Sequence, residues 1–68
     1  MPKIKRDLFD EKRNFIIDAA HLVFSERGYD GATIKDVLSA AGISNGALFI
    51  YFKSKREILL AVMEQKLN

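Results

Sequence analysis

The sequence predicts an all-α fold, a three-helix bundle with the start of a fourth helix, and three observations predict it. Along its 68 residues, apolar side chains recur at intervals of three and four, the period of an amphipathic helix. No stretch alternates apolar and polar as a half-buried strand would. Capping residues and glycines fall where the helical pattern starts and stops.

In EKRNFIIDAAHLVFSERG, helical spacing relates Phe15 or Ile16, Ala19, Ala20, Leu22 or Val23, and Phe24. Asp10 can open this helix. Gly28, which tolerates the left-handed conformation of a helix stop, can close it after Arg27. Helix 1 is therefore expected over residues 11–27, and residues 1–10, MPKIKRDLFD, are expected as a flexible basic arm.

After the turn GYDGA, the segment TIKDVLSAAG sets Ile34, Val37, Leu38 and Ala41 on one helical face. Thr33 is its cap, Asp36 a weaker stand-in for the glutamate of a capping box, and Gly42 its stop, giving helix 2 over 33–41. Only Gly42 and Ile43 separate it from the next cap, Ser44. With Ser44 at the N-cap, Ile43 and Leu48 take the two positions of a hydrophobic staple, and helix 3 follows over 45–51.

In SKREILLAVMEQKLN, Ser54 and Glu57 form an S-x-x-E capping box ahead of Ile58, Leu59, Val62, Met63 and Leu67. Helix 4 begins near residue 55, with no stop signal before Asn68, which fits a cut from a longer helix or, alternatively, a frayed natural end. The expected core is Phe15, Ala19, Val23, Phe24, Ile34, Val37, Leu48, Phe52, Ile58 and Val62.

Composition narrows the function. Hydrophobic residues make up 49% and charged residues 29%, with one proline, which describes a globular chain. There is no cysteine, hence no disulfide, thiolate metal site or cysteine nucleophile. No apolar run approaches the roughly 18 residues that span a bilayer, and the first residues lack a signal-peptide core. A cytoplasmic protein without membrane contact is expected. Residues 1–13 and 32–56 carry net charges of +2 and +3, whereas 14–31 and 57–68 carry −2 and −1. Positive charge thus gathers at the arm and around helix 3, where a phosphate-facing surface would need it.

His21, the single histidine, is expected as a half-buried structural residue, since the chain has no cysteine and no acidic residue stands at i+3 or i+4. Asp10, Glu11, Glu57 and Glu64 fit caps and polar helix faces. The glycine-rich phosphate loops and the nucleophile elbow are absent, and the chain is expected not to be an enzyme and to need no cofactor.

Two short helices joined by a glycine-containing turn make a helix-turn-helix, whose second helix can enter the major groove of DNA. Leu48 and Phe52 take the inward face of helix 3, leaving Asn45, Gly46, Ala47, Phe49, Ile50 and Tyr51 largely outward. Gly46 weakens the helix by roughly 1 kcal/mol relative to alanine, and close approach to a partner is a motive for it. The alternative use of this surface is protein docking through Phe49, Ile50 and Tyr51, because exposed aromatic patches mark such sites. The neighbouring Lys35, Lys53, Lys55 and Arg56 favour a polyanion.

The run RGYDGATIKDVLSAAGISNGALFIYFKSKREIL, with IIDAAHLVFSERG before it, resembles the DNA-binding domain of the TetR family of bacterial transcriptional repressors over about residues 16–62. The matching signals are G-[YF] after helix 1, a threonine opening helix 2, A-G-[IV]-S, G-x-L, a terminal Y-F and K-S-K. The resemblance implies a helix-turn-helix head for double-stranded DNA. Residues 55–68 would begin the helix that links it to a C-terminal domain, absent here, for small-molecule effector binding and dimerisation. The full protein is then expected as a homodimer on a pseudo-palindromic operator.

Residue by residue, the resemblance puts Thr33, Lys35, Tyr51 and Lys55 on phosphates. Ser44, Asn45 and Gly46 would meet the groove, with Ala47, Phe49 and Ile50 facing bases. Four positions depart from the family's usual residues: Phe49 for tyrosine, Asn45 for a basic residue, Ile50 with only apolar contact to offer, and Leu38 for a small alanine between helices 2 and 3.

Overall fold

The computed structural model describes residues 4–67, with side chains from Leu8 onward. Four helices follow one another, α1 (Ile4–Gly31), α2 (Ile34–Ala41), α3 (Asn45–Tyr51) and α4 (Lys55–Lys66), and no strand occurs among the described residues. Helix α2 packs on α1 and α3, and α4 packs on α1.

The first helix starts earlier than the cap signal at Asp10 predicts. Backbone from Ile4 is helical, so residues 4–10, expected as an arm, belong to α1, while Met1, Pro2 and Lys3 lie outside the described residues. No glycine or proline interrupts IKRDLFD, and Phe9 finds a partner in Tyr51, so the helix continues past a usable cap. The expected stop is in place. Gly28 leaves helical geometry at φ 76°, ψ 158°, and a short helical turn follows it to Gly31.

The core is a continuous cluster of Ile16, Ile17, Ala20 and Val23 from α1, Ala32 and Val37, Leu48 and Phe52, and Ile58, Ala61 and Val62 from α4. Four expected core residues, Phe15, Ala19, Phe24 and Ile34, are not fully buried. Phe15 is 56% exposed, because the adjacent pair Ile16 and Ile17 sets the inward direction of α1 and turns residue 15 to its flank. Ala19 is half-buried for the same reason. Phe24, Ile34 and Leu38 are partly buried against the cluster's edge. His21, expected as half-buried, is exposed beside the exposed Leu22. On α4, Met63 and Leu67 belong to the exposed side.

Local hydrogen bonds explain the three later helix starts. At α2, Thr33 and Asp36 form a complete capping box: the Asp36 N–H donates to Thr33 Oγ1 at 3.1 Å, and the Thr33 N–H donates to Asp36 Oδ2 at 3.0 Å. Aspartate therefore does the work expected of glutamate. At α3, the Ala47 N–H donates to Ser44 Oγ at 3.1 Å. At α4, the Glu57 N–H donates to Ser54 Oγ at 3.2 Å, but the Glu57 carboxylate accepts from the Lys53 N–H at 2.9 Å rather than from Ser54. The S-x-x-E box is thus displaced by one residue on its return side.

Candidate nucleic-acid interface

The turn between α2 and α3 is compact because Gly42 closes α2 in the left-handed conformation, at φ 68° and ψ 36°. Its N–H and that of Ile43 both donate to the Leu38 carbonyl, at 2.8 and 3.1 Å. The chain then passes through Ile43 into the Ser44 cap, and α3 covers the expected residues, Asn45–Tyr51.

Within α3, Leu48 is the one buried side chain. Ser44, Asn45, Gly46, Phe49 and Ile50 are exposed, and Ala47 and Tyr51 are half-buried. Phe49 and Ile50 expose 53% and 63% of their surface. A methyl group added at Gly46 would meet no atom within 4 Å, so nothing inside the chain requires glycine there. The helix is anchored by Leu48, with Ala47 and Tyr51 half-buried, and turns Asn45, Gly46, Phe49 and Ile50 outward.

Basic residues flank α3 in sequence. Lys35, Lys53 and Arg56 are exposed. Lys53 is held at the end of α3: its Nζ donates to the Phe49 carbonyl at 2.7 Å and lies 4.4 Å from the centroid of the Phe49 ring. Lying just past the end of α3, Lys53 meets both a late helix carbonyl and the aromatic face. Thr33 caps α2 and is exposed, as is Lys35 two residues on. Asp36, the acidic residue among them, is held below the usual aspartate pKa chiefly by the Thr33 N–H. Desolvation opposes this, and the Thr33 hydroxyl and Arg27 reinforce it.

Two site residues have inner partners that spacing alone does not show. The Tyr51 ring packs on Phe9, centroids 4.7 Å apart. Tyr51 also lines a groove between α1 and α3 together with Leu8, Lys12, Phe15, Ala47 and Ile50. Lys55 is half-buried, and its Nζ donates to the carbonyls of Tyr29 at 2.8 Å and Ala32 at 2.9 Å. Among the described residues no group of three or more histidine, cysteine or acidic side chains could hold a metal, and no helix is long and apolar enough to cross a membrane.

Comparison with known proteins agrees with this geometry. The family model for bacterial regulatory proteins of the tetR family matches residues 16–62. An uncharacterized HTH-type transcriptional regulator of Bacillus subtilis (strain 168), YfiR, is 33% identical over 67 residues, covering 98% of this chain and 33% of that protein. The HTH-type transcriptional repressor Rv1474c of Mycobacterium tuberculosis is 37% identical over 65 residues, covering 96% of this chain and 35% of the relative. The HTH-type transcriptional activator FasR of Mycolicibacterium smegmatis is 37% identical over 59 residues, covering 87% and 27%. The chain spans about a third of the length of these relatives. No solved structure matches it. Capped helix, left-handed glycine turn and outward-facing α3 therefore coincide with the matched segment, and the chain belongs to the tetR family of bacterial transcriptional regulators.

Proposed function

We propose that the chain is a sequence-specific head for double-stranded DNA, with α3 lying in the major groove. The observation that carries this reading is the inverted exposure of α3, one buried leucine against exposed Asn45, Gly46, Phe49 and Ile50, with Lys53 held against Phe49. In the groove, Ser44, Asn45 and Gly46 approach first, and Ala47, Phe49 and Ile50 face base edges. Asn45 can read adenine through two hydrogen bonds, and Ile50 can meet a thymine methyl. Thr33, Lys35 and the Tyr51 hydroxyl meet phosphates, which fix register without reading sequence. Lys55 differs from these three in that its ammonium is turned inward.

Joined to a C-terminal effector-binding and dimerisation domain, with residues 55–68 starting the linking helix, the head would serve a ligand-responsive repressor. One relative is named a repressor and supports that choice, while another is named an activator. A homodimer would place two copies of α3 on half-sites about one helical turn apart, roughly 34 Å, on a pseudo-palindromic operator.

Binding of the chain to a random-sequence DNA duplex at several salt concentrations tests the reading. Each phosphate neutralised contributes about 0.9 to the slope of log affinity against log salt, so affinity should fall steeply as salt rises. Absence of binding even at low salt would favour docking of a protein partner through Phe49, Ile50 and Tyr51.

A further inference from the structure

Lys55 is the first residue of α4, and it reaches back 26 and 23 positions to the carbonyls of Tyr29 and Ala32. Its Nζ also lies 4.3 Å from the centroid of the Tyr29 ring, which itself meets Phe24 of α1 edge-on at 5.5 Å. An ammonium has three N–H donors and no acceptor. Two are spent on carbonyls and the Tyr29 ring lies against the ammonium, so at most one donor is left for a phosphate, on a side the ring does not cover.

One of those carbonyls has a special place. The Ala32 C=O and the Thr33 N–H belong to a single peptide unit, whose planarity makes its two ends move together. Lys55 holds the oxygen at 2.9 Å, and Asp36 holds the N–H at 3.0 Å. The plane that sets the direction of Thr33, and with it the entry of α2, is pinned from both sides.

We propose that Lys55 is a positioning residue, latching the Ala32–Thr33 peptide so that α2 and the α3 that follows it present their DNA-facing side chains correctly, and is not itself a phosphate contact. The inference rests on the DNA-binding reading and reassigns one residue of it.

The test compares Lys55→Met and Lys55→Arg with the unsubstituted chain, on a random-sequence duplex over a salt series, at a temperature where circular dichroism shows all three folded. A latch predicts that both variants lose about tenfold in affinity, the scale of one charge-assisted hydrogen bond, with an unchanged salt slope. Arginine should not restore binding, because its planar fork cannot seat one nitrogen between two carbonyls under a ring. A Lys55→Met slope reduced by about one, with Lys55→Arg binding normally, would make Lys55 a phosphate contact and overturn the latch. Folded variants that bind as the unsubstituted chain does would leave Lys55 a stability residue only and overturn the positioning role.

Should Lys55→Met fail to fold, the ammonium of the unsubstituted chain decides by NMR. Slowly exchanging Lys55 Nζ protons with cross-peaks to the Tyr29 ring, unmoved by added duplex, support the latch. A signal that shifts onto phosphate when DNA is added overturns it. If the unsubstituted chain binds no duplex at all, the DNA-binding reading and the positioning role fall together, whereas the Tyr29 cross-peaks in the free chain still report whether the latch itself is formed.

Discussion

Phe9 and Tyr51 lie ring against ring, with centroids 4.7 Å apart and planes inclined at 41°. The contact joins the early turns of α1 to the last residue of α3, across more than half the sequence. Aromatic pairs of this kind add about 0.5–1.5 kcal/mol beyond the area they bury. Phe9→Ala should therefore destabilise the chain by about 1 kcal/mol and shift the Tyr51 ring resonances, with weaker duplex binding if Tyr51 serves a phosphate. Chemical denaturation and the NMR spectrum of the Tyr51 ring check this. A Tyr51 environment indifferent to Phe9→Ala would detach the N-terminal turns from the reading surface.

The same pair shows where sequence reasoning stops. The starts of α2, α3 and α4 were legible because each carries its own cap, Thr33, Ser44 and Ser54, and Gly42 marks the end of α2 as Gly28 marks the break in α1. Those are local hydrogen bonds and local backbone preferences. The start of α1 was misplaced because Asp10 is a good cap in isolation, while the feature that extends the helix, Phe9 on Tyr51, lies 42 residues away in sequence. Phe15 was misplaced for a related reason: at FII two neighbouring phases are apolar, and only packing against α2 and α4 chooses between them. The outward side chains of α3 followed from period alone, since a short helix with Leu48 inside must turn residues 45, 46, 49 and 50 away. The inward turn of Lys55 did not, because its carbonyl partners lie on the far side of α2 in sequence.

The phase of α1 and the anchor of α3 can be tested together. Ile17 and Leu48 are 0% and 2% exposed, so Ile17→Ala and Leu48→Ala should each destabilise by about 2–5 kcal/mol, enough to unfold a domain of this size under mild conditions. Phe15→Ala removes a larger side chain from a half-exposed site and should change stability by less than about 1 kcal/mol. Thermal and urea unfolding of the three variants gives the comparison. A Phe15 effect equal to that of Ile17 would mean that α1 is rotated by about one residue from the orientation described here.

Acid should loosen the start of α2 before it unfolds the rest. The Thr33 N–H, aided by the Thr33 hydroxyl and by Arg27 against an opposing desolvation, lowers the Asp36 pKa on folding. A carboxyl whose folded pKa is depressed contributes stability above its unfolded value, about 3.9, and that contribution is lost as pH falls through the lower folded value. Amide exchange at Thr33 and Asp36 should then be steady above about pH 5 and quicken, relative to other helix starts, below about pH 4. Asp36→Asn should flatten this dependence. Equal acid sensitivity in that variant would place the responsible carboxylate elsewhere.

Gly46 separates stability from function most cleanly. It sits in the first turn of α3 with ordinary helical backbone, and a methyl group added there would touch nothing within 4 Å. Gly46→Ala should therefore stabilise the free chain by about 1 kcal/mol, since alanine is the better helix former and loses less entropy on folding. If backbone at residue 46 comes against DNA, the same methyl group occupies space the duplex needs, and affinity should fall although the fold is firmer. Denaturation of the free chain and duplex binding at one fixed salt concentration give the two halves of the result. A variant that is more stable and binds equally well would move the closest approach of DNA away from Gly46, toward the exposed Phe49 and Ile50 at the other end of α3.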